Sequence, residues 1–298
     1  MSKKIKLLHY TSTFLPVLGG AQFFIKYLVE EINRQDRLSQ VFVSSTINAH
    51  KYLESVNDVQ SFNMNETDTK KRLFVIIYKL KNEINLHKPD VILCHSAYID
   101  LFIVTLASLW AFKFPKIVVV SHGNDLGKDE RSGYGITRSR WKAMLVKLLL
   151  KRIHKLICPS NFQRAHARNY VSDQSKMFVV PNGIPMTENN HKKETLRKDS
   201  FNLILMSSAR PVKQLAFALS SLVALAKKYE ELNIFVTCED EHICQQAAVE
   251  YSNEGVQDQL HLIGHIYGER KQNILNEMHV LLLPSLYENC PITILECF

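Results

Sequence analysis

Leu281-Leu282-Leu283-Pro284-Ser285-Leu286-Tyr287-Glu288-Asn289-Cys290-Pro291-Ile292-Thr293-Ile294-Leu295-Glu296 passes through three kinds of backbone in quick succession. The apolar run 280–283 predicts a strand buried in a parallel sheet. Pro284 and Ser285 end it. Pro291 suits the first turn of a helix, where its missing N–H costs nothing. Ile292, Ile294 and Leu295 give that helix an apolar side. A strand therefore feeds a loop, and the loop feeds a helix N-terminus. In open α/β sheets ligands bind at this edge, beyond the carboxyl ends of the strands. Backbone N–H groups at Ile292 and Thr293 favour an anion there.

The same alternation runs through the rest of the chain. Before the quoted stretch, strands are expected at 203–207, 232–238 and 260–264, with helices at 215–228, 242–252 and 269–278 between and after them. Earlier, strands are expected at 5–10, 41–45, 91–94, 117–121, 156–159 and 176–180, with helices at 21–34, 68–87, 100–112, 138–155 and 162–169. The polar segment 48–65 lacks periodicity and reads as a long connection. Strands alternating with helices at this spacing predict a parallel, doubly wound sheet. Pro181-Asn182-Gly183-Ile184-Pro185 breaks the pattern, and 298 residues suffice for two α/β domains. The expected division is a first domain at 1–184, a linker at 185–200 and a second domain at 201–298.

An apolar content of 46% with 22% charged residues is that of a globular protein. The net charge of +8 suits an acidic partner: nucleic acid, anionic lipid or a nucleoside diphosphate. No nucleic-acid-binding module is recognisable, so nucleic acid is set aside. Six cysteines without a C-x-x-C pair predict reduced thiols. The N-terminus lacks the pattern of a signal peptide, and the longest uncharged apolar stretch, 101–112, is too short to span a bilayer. A cytoplasmic protein is expected. His261 and His265 flank a strand end without a metal-like spacing, and no metal site is expected.

Candidate functional residues sit at strand ends. Glu288 and Glu296 have seven residues between them. Ionised, each only accepts hydrogen bonds and can hold a pair of hydroxyls. Taken singly, each is as well read as a solvated carboxylate. Gly19-Gly20 follows the first strand; a tight turn and a close backbone approach to a ligand both account for glycine there. His122-Gly123-Asn124-Asp125 follows the strand at 117–121, where the histidine either holds the loop or meets a ligand. Arg210 and Lys213 follow the strand at 203–207, as surface charges or as an anion clamp. The glycine-containing, charged segment 127–137 is expected to be mobile. In 138–155, seven Lys and Arg alternate with Trp141, Met144, Leu145, Leu148 and Leu149 as in a basic amphipathic helix. Such a helix either packs its leucines on the sheet or meets anionic lipid.

Glu288-x7-Glu296 across a strand–loop–helix joint resembles the E-x7-E signature of retaining glycosyltransferases with two Rossmann-like domains (the GT-B type), family 4 in particular. Pro16-x-x-Gly19-Gly20, His122-Gly123-Asn124-Asp125, Asn182-Gly183-Ile184 and Arg210-Pro211-Val212-Lys213 are similar to further segments of that family. Its commoner Arg–Lys spacing has four intervening residues, whereas here there are two. The resemblance implies GT-B architecture and transfer of a sugar from a nucleotide-diphosphate sugar to a glycan or polyprenyl-linked acceptor hydroxyl, in polysaccharide or glycolipid biosynthesis. It implies that Glu288 binds the donor sugar, that Glu296 binds the ribose, and that Arg210 and Lys213, with the helix start at Ile292, clamp the diphosphate. Gly19, Gly20 and His122 would close the donor site from the first domain, with His122 and Glu288 in the catalytic roles. No metal or other cofactor is implied. A lipid-linked acceptor would suit contact of 138–155 with the inner face of a membrane. Family members continue beyond the point reached by Phe298, so the second domain is expected to be incomplete, with a bare edge at 280–283 and little activity of this chain alone. The alternatives are a sugar-nucleotide 2-epimerase of the same architecture and a non-catalytic remnant.

Overall fold

The structure, a computed structural model, describes residues 4–17, 19–56, 58–62, 69–112, 114–185, 200–238 and 240–297. The chain divides into two compact units: 1–130, 134–185 and 289–292 form the first, and 131–133, 186–288 and 293–298 the second. The expected linker, 185–200, lies outside the described residues apart from its two ends.

In chain order the first unit contains β1 (Ile5–Thr11), α1 (Gly20–Asn33), β2 (Leu38–Ser44), β3 (Val59–Ser61), α2 (Thr69–His87), β4 (Val91–Cys94), α3 (Ile99–Leu109), β5 (Lys116–Val120), α4 (Arg140–Leu150), β6 (Lys155–Cys158), α5 (Asn161–Ala167) and β7 (Met177–Val179). The strands form one parallel sheet in the order β3-β2-β1-β4-β5-β6-β7. The order reverses at β1, whose neighbours are β2 and β4. Right-handed crossovers then put α1 on one face and α2 to α5 on the other. Two cores follow from this. Phe14, Ile25, Val29 and Phe42 pack on the α1 face. Leu80, Ile92, Leu101, Val104, Val146 and Leu156 pack on the other. Strand β1 is buried on both faces from Leu7 to Thr11, which accounts for its apolar run, whereas β4 and β5 bury Ile92, Cys94, Ile117 and Val119 on the α2–α5 face and leave Leu93 and Val118 half-buried. Ser160 caps α5, accepting the Gln163 N–H at 3.2 Å.

The second unit contains β8 (Phe201–Leu205), α6 (Leu215–Lys228), β9 (Leu232–Val236), α7 (Glu241–Asn253), β10 (Leu260–Leu262), α8 (Gly268–Asn276) and β11 (Val280–Leu281), and α9 (Ile292–Glu296) closes the described chain. Its sheet is also parallel, ordered β10-β9-β8-β11. Leu219, Leu222, Ile234, Val236 and Tyr251 anchor its core, with α6 and α7 side by side on one face. Asp240 caps α7, accepting the Ile243 N–H at 3.0 Å.

Four expectations are corrected. The run 280–283 is not a buried strand: β11 spans two residues at the sheet edge, and Val280 is 39% exposed. Its only pairing among the described residues is with β8, and α8 contributes no fully buried side chain above it. The connection 48–65 hides β3, a short edge strand. The basic helix is shorter than 138–155. Arg138 lies in a 3₁₀ turn and pairs with Glu130, while Lys155 opens β6 with its Nζ 4.4 Å from the centre of the Phe178 ring. Segment 127–137 is held by its own bonds. Asp129 and Tyr134 exchange two backbone hydrogen bonds of 3.0 Å, and Thr137 Oγ1 donates to the Gly127 carbonyl at 3.2 Å.

Candidate active site

In the first unit the carboxyl ends of β1, β4 and β5 open into a cavity of about 220 Å³. Thr11, Ser12, Thr13, His95, Asp100 and His122 are among its lining residues. The loop after β5 is organised by Asp125. One of its oxygens accepts the Ser121 hydroxyl (2.7 Å) and the Gly123 N–H (3.2 Å); the other accepts the Ala97 N–H (2.8 Å). Gln163 Nε2 donates to Ser121 Oγ at 2.7 Å and completes the network. Asp125 thus ties the β5 loop to the β4 loop. Gly123 has φ +111°, and a Cβ there would lie 3.1 Å from Tyr134 Oη. Both the conformation and the space require glycine.

This scaffold sets three imidazoles in a row. His9 and His95 are stacked, with centroids 5.6 Å apart and planes 11° apart, and His9 Nδ1 lies 3.3 Å from His95 Nε2. One of those two nitrogens must carry the proton and the other accept it. His95 stacks in turn on His122, at 5.8 Å and 17°, and Phe24 meets His122 edge-on at 5.5 Å. Burial pushes His9 and His122 down to about 4, with Asp125 opposing the shift at His122. Burial and the two neighbouring histidines hold His95 well below its usual range. All three rings are therefore neutral near pH 7. Buried nitrogens on each, including His122 Nε2, have no hydrogen-bond partner among the described residues, which costs stability unless a ligand group meets them. A neutral His122 can donate or accept a hydrogen bond but supplies no positive charge. Asp100, in the first turn of α3, accepts the Ser12 N–H at 3.0 Å. Burial raises its carboxyl to about 7 despite that bond.

Gly19 and Gly20 precede the lining residues Ala21 and Gln22. The tight-turn explanation fails for both. Gly19 is extended at φ 172°, and Gly20 has no φ in the left-handed region. A Cβ on Gly20 would meet no atom within 4 Å.

In the second unit, β8 ends in the loop carrying Arg210 and Lys213, and β11 ends in the loop carrying Glu288. The Leu286 N–H donates to the Val212 carbonyl at 2.9 Å and joins the two loops. Buried Tyr287 anchors the second of them. Lys213 Nζ forms an ion pair with Glu288 Oε1, which also accepts the Ser285 hydroxyl at 2.8 Å. The two side chains are 20% and 26% exposed, so the pair is partly desolvated and each charge depends on the other. Arg210 is exposed, its Nε donating to Ser208 Oγ at 3.1 Å. Glu296 stands apart from this cluster and pairs with Lys271 of α8. Ile292 is buried, is grouped with the first unit and opens α9, whose five residues align few peptide dipoles behind its N-terminus. A larger groove, about 610 Å³, runs between α6 and α7. It is lined by helix side chains remote from the strand ends and gathers none of these groups.

Sequence reasoning missed His95, Asp100 and Lys271. His95 had the signal that singled out His122, namely its place directly after a strand's carboxyl end. Asp100 and Lys271 lie inside helices, where the sequence reads them as surface charges.

Among the described residues, no group of three His, Cys, Asp or Glu side chains is placed to hold a metal ion. No helix among the described residues is long and apolar enough to cross a membrane.

The family description "Glycosyltransferase Family 4" matches residues 18–188, more than half of the chain, and "Glycosyl transferases group 1" matches 186–298. The chain belongs to glycosyltransferase family 4. The fold of this transferase is shared by solved structures of low sequence identity. HepE from Anabaena, in complex with UDP and glucose, is 15% identical with a TM-score of 0.74, covering 98% of this chain and 78% of its own. A glycosyltransferase from Rickettsia africae is 16% identical with a TM-score of 0.71, covering 99% of this chain and 76% of its own. A UDP-N-acetylglucosamine 2-epimerase is 14% identical with a TM-score of 0.61, covering 94% and 74%. Among curated proteins no match was found. The transferase has GT-B architecture, with two Rossmann-like parallel sheets of seven and four strands.

Proposed function

We propose that this transferase is a retaining enzyme that moves a sugar from a nucleoside-diphosphate sugar to an acceptor hydroxyl on a glycan or a lipid-linked glycan. The observation that carries this reading is the convergence of Lys213 and Glu288 at the carboxyl ends of adjacent strands β8 and β11. A cation and a carboxylate side by side suit a diphosphate joined to a polyhydroxylated ring. HepE, with UDP and glucose bound, supports the donor class.

Arg210, Lys213 and the backbone at Ile292 hold the diphosphate. Glu288 accepts sugar hydroxyls, and Glu296 accepts those of the ribose. As the bond from the sugar to the diphosphate breaks, negative charge grows on the leaving oxygen, and the two cations stabilise it. No metal cofactor enters this reading. The acceptor oxygen forms the new bond to the sugar as the bond to the diphosphate breaks, and its proton passes to the departing diphosphate oxygen. Gly20 leaves the donor room to approach the backbone. Neutral His122 hydrogen-bonds a sugar hydroxyl. On donor binding Lys213 exchanges part of its pairing with Glu288 for phosphate, which frees Glu288 for the sugar.

The acceptor side of the reading draws on α4. Trp141, Met144 and Leu148 are exposed beside exposed Arg140, Lys147, Lys151 and Arg152, a combination suited to an anionic membrane surface. This supports a peripheral enzyme of polysaccharide or glycolipid synthesis.

The test is Glu288→Gln, assayed by UDP titration and by turnover of a UDP-sugar panel with and without added glycan. UDP affinity is expected within about threefold of the parent, and transfer is expected to fall about a hundredfold. Equal losses in both would overturn the role of Glu288. The epimerase reading, favoured by the 2-epimerase of similar fold, instead requires release of UDP from donor without any acceptor.

A further inference from the structure

The outer side of α2 presents Lys71, Phe74, Tyr78, Lys81 and Asn85 at helical spacing. The connection from α3 to β5 is fastened along it. Trp110 stands edge-on to Phe74 with ring centroids 6.2 Å apart, and the Phe112 N–H donates to Asn85 Oδ1 at 2.9 Å. The result is a patch of Phe74, Tyr78, Leu109, Trp110, Phe112 and Phe114, all exposed. Phe112 is the extreme at 96%. It projects from the surface. Folding of this unit does not explain so many aromatics in water, since burial of each would stabilise it. The bond to Asn85 holds the backbone with Phe112 outward.

The surroundings indicate what covers the patch. Lys81 Nζ lies 5.4 Å from the centre of the Tyr78 ring. Arg72 is exposed next to Lys71. The one carboxylate of α2, Glu83, is half-buried and lies 3.2 Å from His87. Aromatics flanked by cations complement an anionic bilayer. Trp and Tyr settle at headgroup depth, Phe goes deeper, and Lys and Arg meet the lipid charge. A second copy of this chain would bring like charges together. We propose that Leu109, Trp110, Phe112 and Phe114, with the outer side of α2, form an insertion patch for anionic lipid, separate from α4 and independent of the donor chemistry proposed above.

The chain contains two tryptophans, Trp110 in this patch and Trp141 on α4, so each reports on one surface. Trp141→Phe and Trp110→Phe variants of the full chain would be mixed with phosphatidylcholine vesicles, with or without phosphatidylglycerol, some carrying a quencher in the acyl chain. The expected result is a blue shift and quenching of Trp110 with anionic vesicles. Lys71→Glu with Lys81→Glu, and separately Phe112→Ser with Phe114→Ser, should each weaken vesicle binding at least tenfold with unchanged circular dichroism. Three results would overturn the proposal: no shift of Trp110 with any vesicle, a shift of Trp141 alone, or a Trp110 shift that follows protein concentration without lipid. The last would assign the patch to self-association. Loss of UDP binding or transfer in the Glu288→Gln variant leaves all of these readouts untouched, so the two proposals fail separately.

Discussion

At Gly20 the φ value is unremarkable and the space beside the Cα is open, so nothing in the protein itself demands glycine. Gly20→Ala is therefore expected to raise stability by about 0.5–1 kcal/mol, since alanine is the better residue at a helix position. It should also lower transfer, because the added methyl group would take the room in which the donor approaches the protein backbone. Melting temperature and turnover, measured on one preparation, separate the two effects. Asp100 offers a second test. Its carboxyl is raised to about 7 by burial. Folding is favoured by the bound proton, and that contribution is lost as pH rises from the ordinary carboxylate range through 7. Asp100→Asn, which keeps an acceptor for the Ser12 N–H, should raise the melting temperature at pH 8 and change it little at pH 4; an equal shift at both would contradict the raised pKa. These two residues also mark how far a sequence can be read. Glycine after a strand draws the eye, and here it leads to the cavity. Asp100 reads as an ordinary first-turn helix carboxylate, because only packing of α3 against the β1 loop removes it from water.

Arg210 and Lys213 depend on the 3₁₀ turn (Pro211–Lys213) that follows β8. The two-residue spacing between them is absorbed by that turn, which places Lys213 against Glu288 and leaves Arg210 on the rim. Replacing both by Ala should weaken binding of UDP at least about a hundredfold and of uridine much less, given about 1.5–3 kcal/mol per charge-assisted bond. Equal losses by calorimetry would return both residues to the surface-charge reading. For α4, changing Lys142, Lys147 and Lys151 to Glu should weaken co-sedimentation with anionic vesicles about tenfold at unchanged circular dichroism, the remainder being carried by the α2 patch. Lys142 lies over the rings of Tyr98 and Trp141, so a small loss of stability is also expected. The long, strongly periodic elements were legible: β4 and α6 have their expected bounds. The failures have physical causes. Val59-Gln60-Ser61 pairs only through its backbone at a sheet edge, without alternation to betray it. The run at 280–283 is apolar enough for a core strand, yet among the described residues it pairs with β8 alone.

The division of labour between two parallel sheets was visible in the alternation of strands and helices, because each βαβ unit needs a helix-length crossover. What the pattern withheld was the burial of charge-capable groups at the centre of the first sheet. His9, His95 and His122 are neutral in the folded state, with pKa values held down by burial. For His9 and His122 the stability from this source is full above 6.5 and is lost as pH falls through about 4, at about 1.4 kcal/mol per pH unit each, and His95 adds to it in the same direction. The transferase should therefore unfold on mild acidification, before most surface carboxylates are protonated. A series of melts from pH 7.5 to 4.5 checks this, and a His9→Gln variant with a shallower slope would identify one of the groups.

The reversal of strand order at β1 also governs how the chain is made. Leu7 lies beside Val91 and Tyr10 beside Cys94 in the finished sheet, so the innermost strand lacks one partner until about 80 further residues have left the ribosome. At typical synthesis rates that delay is on the order of ten seconds. During it, Leu8 and Tyr10, both fully buried in the end, sit on an apolar strand with one side unpaired, open to chaperones and to wrong partners. In dilute refolding the same arrangement makes the pairing of β1 with β4 the slow step, because the loop must close before any contact rewards it. Overproduction faster than that step would send this unit into aggregates, and slowing synthesis upstream of residue 91 would make matters worse.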